Sequence, residues 1–138
     1  MKKKYFLIIT VIILSGLNVY SFTPADTEMV AESPKVAQVT RISAQRAKEI
    51  IDTTEGYIIL DVRTVGEYES SHIPGALLIP DYELKQKAPT MLKDKDQVIL
   101  VYCRSGNRSA GAARNLVNLG YTNIYDFGGI ISWPYEVE

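Results

Sequence analysis

A continuous apolar run that leads into small and polar residues, at 98–113, constrains the fold more than any other stretch of this chain. The run VILVY has the length and the β-branched composition of a strand that is buried on both faces. The residues after it, CRSGNR, contain Gly106 and Asn107, which tolerate the positive φ of a tight turn. Ser109 is expected to be the N-cap of a following helix. The sequence therefore predicts a strand, a tight loop and a helix, with Cys103 where the strand stops.

Strand-length apolar runs alternate with amphipathic segments along the rest of the chain. Predicted strands cover residues 39–42, 57–60, 76–79, 97–102 and 123–127. Predicted helices cover residues 43–53, 64–70, 81–92 and 109–119, followed by a last turn at 130–133. Strands that alternate with helices on connections of this length form parallel sheets. We therefore expect an α/β fold with a central parallel β-sheet of about five strands and helices on both faces.

Several residues predict where the helices begin and end. Ser43 is expected to cap the first helix, and Thr64 with Glu67 forms a capping box for the second. Pro89 is expected to interrupt the third helix, because proline lacks the N–H that a helix interior requires. Gly120 is expected to follow the last residue of the fourth helix and to end it in the left-handed conformation.

The first 21 residues, 1–21, have the pattern of an export signal. Three lysines at positions 2–4 precede an apolar stretch at 5–17, and Ser21 fits the small-residue rule for cleavage. The alternative is an uncleaved membrane anchor, because residues 5–21 are just long enough to span a bilayer. In both cases the lysines stay in the cytoplasm, so the domain is expected to be exported, to the periplasm or elsewhere outside the cytoplasm. Membrane contact is expected only if the segment is uncleaved.

Residues 22–38 separate this segment from the predicted folded domain at 39–138. They contain two prolines and several Ser, Thr, Asp and Glu residues without hydrophobic periodicity. This composition is typical of a flexible linker. A chain of 138 residues supports one domain, and we expect it to be a monomer.

Charge and cysteine content argue against two classes of function. Without residues 1–21 the chain keeps 12 basic and 16 acidic residues, whereas a nucleic-acid-binding domain needs a basic face. A single cysteine cannot form an intramolecular disulfide, and one cysteine with one histidine makes a poor metal site. We therefore expect no nucleic-acid partner, no metal and no organic cofactor.

Cys103 is a candidate nucleophile because of its surroundings. An isolated cysteine is often only a small core residue, but this one lies at the carboxyl end of a strand, where parallel sheets carry their sites. Two arginines and a helix N-terminus next to it favour a thiolate. The backbone amides of the loop would hold an anion there. The predicted binding residues are Arg104, Ser105, Gly106, Asn107 and Arg108.

A second strand end carries Asp61 and Arg63, which are expected to support the site rather than to react. Arg63 is expected to pair with Glu67 or Asp61 and to brace the wall of the loop, because such pairs orient the groups that do the chemistry. Ser109 belongs to the same supporting group. His72 precedes Ile-Pro-Gly and is expected to stabilise a turn.

Five short motifs occur in a characteristic order. They are LDVR at 60–63, EY at 67–68, HIPGA at 72–76, YCRSGNRS at 102–109, and GG at 128–129 followed by Trp133. Each motif is weak alone, but together they resemble the rhodanese family of single-domain sulfurtransferases over roughly residues 40–138. The resemblance implies the rhodanese-like fold, a cysteine nucleophile at Cys103 and an active-site loop at 104–108. Trp133 is expected to fill the core rather than to be a platform for substrate. One departure is Ser71, where the family usually has glycine.

The length of the loop separates two branches of this family's fold. Sulfurtransferases similar to this chain have a six-residue loop counted from the cysteine, and the related dual-specificity phosphatases have one residue more. Here four residues separate Cys103 from Arg108, which favours sulfur over phosphate. The resemblance thus implies that Cys103 takes sulfur from a small anionic donor such as thiosulfate, holds it as a persulfide, and passes it to cyanide, a thiol or a protein acceptor. A non-catalytic sulfur carrier for a partner protein, and a phosphatase or arsenate reductase, remain alternatives.

Overall fold

Five parallel strands form the centre of the fold in the computed structural model, which describes residues 37–138. In spatial order the sheet is β1-β5-β4-β2-β3, and every pair of neighbours is parallel. The strands are β1 Gln38–Arg41, β2 Ile58–Asp61, β3 Leu77–Leu78, β4 Val98–Cys103 and β5 Asn123–Gly129. The predicted parallel sheet of about five strands is confirmed. The predicted signal segment, and the predicted linker up to residue 36, lie outside the described residues.

Within the described part of the chain, four α-helices and one 3₁₀ turn cover the two faces of this sheet. The helices are α1 Ala44–Thr53, α2 Val65–Ser70, α3 Leu84–Met91 and α4 Asn107–Asn118, and the 3₁₀ turn is Ile130–Ser132. α1 packs on one face, and α3 and α4 pack on the other, which confirms helices on both faces. Within residues 37–138, no helix combines the length and the apolarity that crossing a membrane requires.

The alternation of side chains along β4 explains why both faces of the sheet are covered. Successive residues of a strand point to opposite faces. Ile99, Val101 and Cys103 lie in the core cluster of α3 and α4, whereas Leu100 and Tyr102 lie in the cluster of α1. All five side chains are buried, so β4 is the central, two-sided apolar strand that its sequence predicts.

Two helix starts follow the predicted capping chemistry. The backbone N–H of Arg46 donates to the Ser43 hydroxyl at 3.1 Å, which caps α1. At α2 the Glu67 N–H donates to the Thr64 hydroxyl, while the Thr64 N–H donates to the Glu67 carboxylate at 3.0 Å. The predicted capping box is therefore confirmed. Gly120 follows the C-cap of α4 with a φ of 89°, also as predicted.

Two local predictions are wrong. Ser109 is not the N-cap of α4, because Gly106 takes that position in the left-handed conformation and the helix starts three residues earlier than expected. Ser109 instead lies buried in the first turn. Pro89 does not interrupt α3, which continues through it to Met91. Pro89 and Lys85 are both exposed, so the helical hydrogen bond that proline cannot make is lost at the surface rather than in the core.

Candidate active site

Three strands end in polar or glycine residues at the same edge of the sheet. β2 ends at Asp61, β4 at Cys103 and β5 at Gly129. Because the strands are parallel and β4 lies between β2 and β5, these three ends are neighbours. α4 begins at Asn107, so the loop after β4 stays at this edge. Parallel sheets carry their sites at the carboxyl ends of their strands.

Cys103 is buried at this edge, with 1% of its surface exposed. It is the last residue of β4 rather than the first residue after it. The backbone N–H of Gly106 donates to the Cys103 Sγ at 3.0 Å. Burial disfavours the thiolate, but hydrogen bonds from the backbone of Ser109 and Gly106, from the Ser109 hydroxyl and from the backbone of Ser105 outweigh it. The pKa of Cys103 therefore lies below its ordinary value, so this thiol ionises more readily than a free one.

The two glycines that end β5 let this strand pass directly against the active-site loop. A Cβ atom on Gly129 would lie 2.6 Å from the Cα of Ser105, closer than real Cβ atoms come to backbone. Gly106 has a φ of 105°, and a Cβ on it would lie 3.4 Å from the Cα of Gly128. The motif GG at 128–129 therefore contributes to the site by allowing a close backbone approach.

The six residues from Arg104 to Ser109 differ in exposure. Arg104, Ser105 and Asn107 are exposed, Arg108 is half-buried, and Gly106 and Ser109 are buried. Within residues 37–138, the Arg104 guanidinium has no ion-pair partner. Arg104 thus offers an available positive charge at the surface of the loop, whereas the Gly106 amide faces the thiol below.

Arg108 and Glu67 form an ion pair that joins the active-site loop to α2. Nη1 and Nη2 of Arg108 donate to the two carboxylate oxygens of Glu67 at 2.8 and 2.7 Å. The hydrogen bond from Arg108, opposed by burial and aided by Thr64, lowers the pKa of Glu67 to about 2. The same pairing raises the pKa of Arg108. Arg108 was a predicted anion-binding residue, and its charge is already shared with a carboxylate.

Asp61 and Arg63 form a separate, buried ion pair at the end of β2. The Arg63 Nη2 donates to Asp61 Oδ2 at 2.6 Å, and the same nitrogen donates to the backbone carbonyl of Ser71 at 2.7 Å. Although burial opposes it, the Asp61 carboxylate raises the pKa of Arg63. Of the two partners predicted for Arg63, the structure pairs it with Asp61 and not with Glu67.

The departure at Ser71 is explained by the same contact. Arg63 binds the backbone carbonyl of Ser71, which any residue supplies. Ser71 has a φ of −173°, an extended conformation that does not require glycine. The substitution of serine for the family's glycine therefore leaves the contact with Arg63 unchanged.

Asp126 and Arg41 lie directly against the active-site loop, although neither is among the residues that the sequence predicted for the site. The buried Asp126 Oδ1 accepts from the Ser109 hydroxyl at 2.8 Å and from the Gly128 N–H at 3.0 Å. Its Oδ2 accepts from Arg41 Nη1 at 2.8 Å. The sequence did contain a signal for Asp126, because this charged residue lies inside the apolar strand β5. Its partners are 17 and 85 residues away, however, and local patterns do not reveal such pairs.

Comparison with known proteins accounts for this arrangement. A family described as the rhodanese-like domain matches residues 43–134. The chain belongs to this family. The thiosulfate sulfurtransferase PspE of Escherichia coli is 37% identical over 71 residues, which are 51% of this chain and 68% of that protein. A rhodanese-related protein of known structure from Thermoplasma volcanium is 34% identical, with a TM-score of 0.63, over 72% of this chain and 97% of that one.

One further relative is longer than this rhodanese-like chain. A Bacillus subtilis protein that is provisionally named the sulfur carrier protein YrkF is 34% identical over 107 residues. The match covers 77% of this chain but only 57% of that protein. The chain therefore spans little more than half the length of this relative.

Two other predicted residues of the rhodanese-like domain lie in structural contacts. His72 stacks on Tyr68 with 3.8 Å between ring centroids, and its backbone N–H donates to the Glu138 carbonyl at 2.7 Å. Trp133 is buried and packs against Phe127 with 5.4 Å between ring centroids. These contacts agree with a turn-stabilising histidine and a core tryptophan. Among residues 37–138, no group of three or more His, Cys, Asp or Glu side chains could hold a metal ion.

An open cleft of about 360 Å³ lies along the first turns of α4. The residues that line it are Asp81, Asn107, Arg108, Gly111, Ala112 and Asn115. Two of them, Asn107 and Arg108, belong to the active-site loop. The rhodanese-like domain therefore has room beside this loop for a small anion or for the side chain of an acceptor.

We expect replacement of Glu67 by glutamine to destabilise the protein by about 1–2 kcal/mol at pH 7, because the change removes one partner of a half-buried, charge-assisted pair. The pKa of Glu67 is lowered from 4.5 to about 2 in the folded state. Its contribution is therefore present above pH 4.5 and is lost as the pH falls towards 2. Urea denaturation of wild type and Glu67→Gln should show a difference in unfolding free energy that shrinks over this interval.

Glu49→Gln is a matched control for this experiment. Glu49 also accepts from an arginine, Arg46, at 2.8 Å, but both side chains are more than 60% exposed. Exposed pairs contribute little to stability, so this variant should have the same free energy of unfolding as wild type at pH 7 and at pH 2. A difference for Glu67→Gln that is the same at pH 7 and at pH 2 would contradict the ion-pair explanation.

Proposed function

We propose that this chain is a sulfurtransferase whose Cys103 carries sulfur as a persulfide from a small anionic donor, such as thiosulfate, to cyanide or a thiol. The observation that carries the proposal is the hydrogen bond from the Gly106 N–H to the Cys103 Sγ at 3.0 Å, at the N-terminus of α4. The depressed pKa of Cys103 supports it, because the thiolate is the reactive form. The membership of the rhodanese-like family and the similarity to PspE also support it.

The proposed transfer has two half-reactions. In the first, the Cys103 thiolate attacks the outer sulfur of thiosulfate, a new S–S bond forms, and the old S–S bond breaks. Sulfite leaves with that electron pair, and the outer sulfur stays on Cys103 as a charged persulfide. In the second, cyanide or a thiolate attacks this outer sulfur, and Cys103 leaves as the thiolate. The loop amides at 104–108 are donors for the charge that moves to the outer sulfur.

Mass spectrometry of the intact protein tests this proposal. Incubation with thiosulfate should add one sulfur atom, and subsequent cyanide should remove it and release thiocyanate. Ping-pong kinetics are expected, because the enzyme is modified between its two substrates. A protein that gains no sulfur and forms no thiocyanate is not a thiosulfate sulfurtransferase.

A sulfur carrier for a partner protein is the second candidate function. The Bacillus subtilis relative that bears a sulfur carrier name supports it, and so does the burial of Cys103. A carrier would turn over slowly with thiosulfate and cyanide but would exchange persulfide rapidly with a protein thiol. The ratio of these two rates, measured with a persulfide-loaded protein donor, distinguishes the carrier from the enzyme. A phosphatase or arsenate reductase is a weaker candidate because of the short loop, and hydrolysis of an aryl phosphate would be needed to support it.

We also propose that the protein works outside the cytoplasm, with residues 1–21 as the export signal. The three lysines and the apolar stretch that follows them support this. Cell fractionation should place the protein in the periplasmic or extracellular fraction if residues 1–21 are cleaved, and in the membrane fraction if they are not, and its mass should show whether cleavage occurs after Ser21. Recovery from the cytoplasm alone would exclude export.

A further inference from the structure

Asp126 and Arg41 connect β5 and β1 to the loop that holds Cys103. The Asp126 carboxylate accepts three hydrogen bonds, from the Ser109 hydroxyl, the Gly128 N–H and Arg41. Ser109 is the link to the thiol, since its backbone N–H and its hydroxyl both favour the Cys103 thiolate. A hydroxyl donates one proton at a time, so the Asp126 carboxylate at 2.8 Å competes with the Cys103 sulfur for the proton of Ser109, as do the carbonyls of Gly106 and Gly128 at 3.1 and 3.2 Å.

The Arg41 guanidinium lies against the backbone of the same loop. A Cβ atom on Gly106 would be 3.2 Å from Arg41 Nη2, and one on Gly128 would be 3.4 Å from it. Gly106 supplies the N–H that donates to the Cys103 Sγ. Arg41 thus touches the residue that binds the thiolate, and it also pairs with the carboxylate behind that residue.

The two charges of this pair act on an anion in opposite directions. A buried carboxylate near the loop disfavours a thiolate or an anionic donor, whereas a guanidinium favours both. The Asp126 side chain is 2% exposed and the Arg41 side chain is 62% exposed, so the negative charge is the one that water screens least. Without Arg41, the loop would have to hold the thiolate or an anionic donor near the Asp126 carboxylate with no cation to balance its charge.

Other charged groups near the loop are already accounted for by contacts of their own. Arg108 is paired with Glu67, and Asp61 is paired with Arg63. Within residues 37–138, two further charged residues near the loop are Arg104 on the loop itself and Asp81 after β3, which lines the cleft beside Arg108. None of these groups contacts Asp126, so Arg41 is the cation that balances it.

We propose that Arg41 and Asp126 are positioning residues, a balanced charge pair that determines how strongly the active-site loop holds the Cys103 thiolate and an anionic sulfur donor. Asp126 fixes Ser109 and Gly128 in place, and Arg41 cancels the charge that this fixation introduces. The part of the proposal that concerns the donor rests on the proposed function. The part that concerns the thiolate does not.

Alkylation of Cys103 by iodoacetamide as a function of pH tests the proposal, because the chain has no other cysteine. Arg41→Gln should move the pH midpoint of alkylation upward by about half a unit or more, and Asp126→Asn should move it downward. The double variant should return close to wild type. Arg41→Lys keeps the charge and should also stay close to wild type. With thiosulfate, Arg41→Gln should raise KM several-fold more than it lowers kcat.

Arg46→Gln is the matched control, because Arg46 on α1 has the same 62% exposure and, among residues 37–138, forms its ion pair with Glu49 alone. Its midpoint should equal that of wild type. Shifts of Arg41→Gln and Asp126→Asn in the same direction, or no shift in Arg41→Gln, would overturn the proposal. If Asp126→Asn fails to fold, the proposal is tested by the alkylation midpoints of the two Arg41 variants: Arg41→Gln should shift upward and Arg41→Lys should not. Wild type that alkylates normally but never accepts sulfur would refute the proposed function and not the charge pair.

Discussion

Replacement of Cys103 by serine should abolish both half-reactions, so that the variant gains no sulfur from thiosulfate and releases no thiocyanate above the rate without protein. A hydroxyl with a pKa far above that of a thiol is not ionised at neutral pH and forms no persulfide. The chain contains no other cysteine, so no second site can accept the sulfur. The measurement is the intact mass after thiosulfate, followed by colorimetric thiocyanate after cyanide.

The fold of this variant should remain intact, which makes the loss of activity interpretable. Serine is slightly smaller than cysteine, and its oxygen can accept the Gly106 N–H that now donates to Sγ at 3.0 Å. We expect the free energy of unfolding to change by less than about 1.5 kcal/mol, with an unchanged circular dichroism spectrum. Thiocyanate formation that persists in a folded Cys103→Ser protein would place the sulfur chemistry elsewhere.

The sequence predicted best those features that depend on neighbouring residues. The alternation of apolar runs with helical segments was enough to predict a parallel sheet of about five strands and the two-sided burial of β4. The Thr64–Glu67 capping box was readable because its two members are three residues apart. The position of Cys103 at the end of the strand was missed by one residue, which changes nothing in its relation to the loop amides.

The predictions failed where a backbone conformation or a distant partner decides the outcome. Serine is a favourable N-cap residue, but the left-handed Gly106 is the N-cap here, so α4 has already begun at Asn107 and Ser109 lies inside it. Buried in the first turn, the Ser109 hydroxyl then bonds to Asp126 instead of capping the helix. Glu67 could not be assigned to Arg108 from the sequence, because 41 residues separate them and only the packing of α2 beside the loop unites them.

The role of Gly128 and Gly129 also depends on a distant part of the chain, the active-site loop. Two successive glycines suggest a turn in a sequence, whereas here they form the end of β5. Gly129 has a φ of −126°, which any residue can adopt, so its backbone does not require glycine. The requirement is steric: a Cβ on Gly129 would lie 2.6 Å from both Arg104 C and Ser105 Cα.

Gly129→Ala should therefore displace residues 104–105 and separate the loop amides from the Cys103 Sγ. Overpacking of this kind costs about 1–3 kcal/mol of stability, and a misplaced set of donors should lower the rate of sulfur loading by about 100-fold. The matched control is Gly66→Ala in α2, where a Cβ would meet nothing within 4 Å and alanine should stabilise the helix by about 0.5–1 kcal/mol. Thermal unfolding and thiosulfate loading measure both variants. Both substitutions add one methyl group. If the contact with the loop is what matters, Gly129→Ala should lower the free energy of unfolding and lose sulfur loading, whereas Gly66→Ala should raise the free energy of unfolding and keep sulfur loading. Equal loading by the two variants would mean that the close approach of β5 does not hold the loop in its reactive shape.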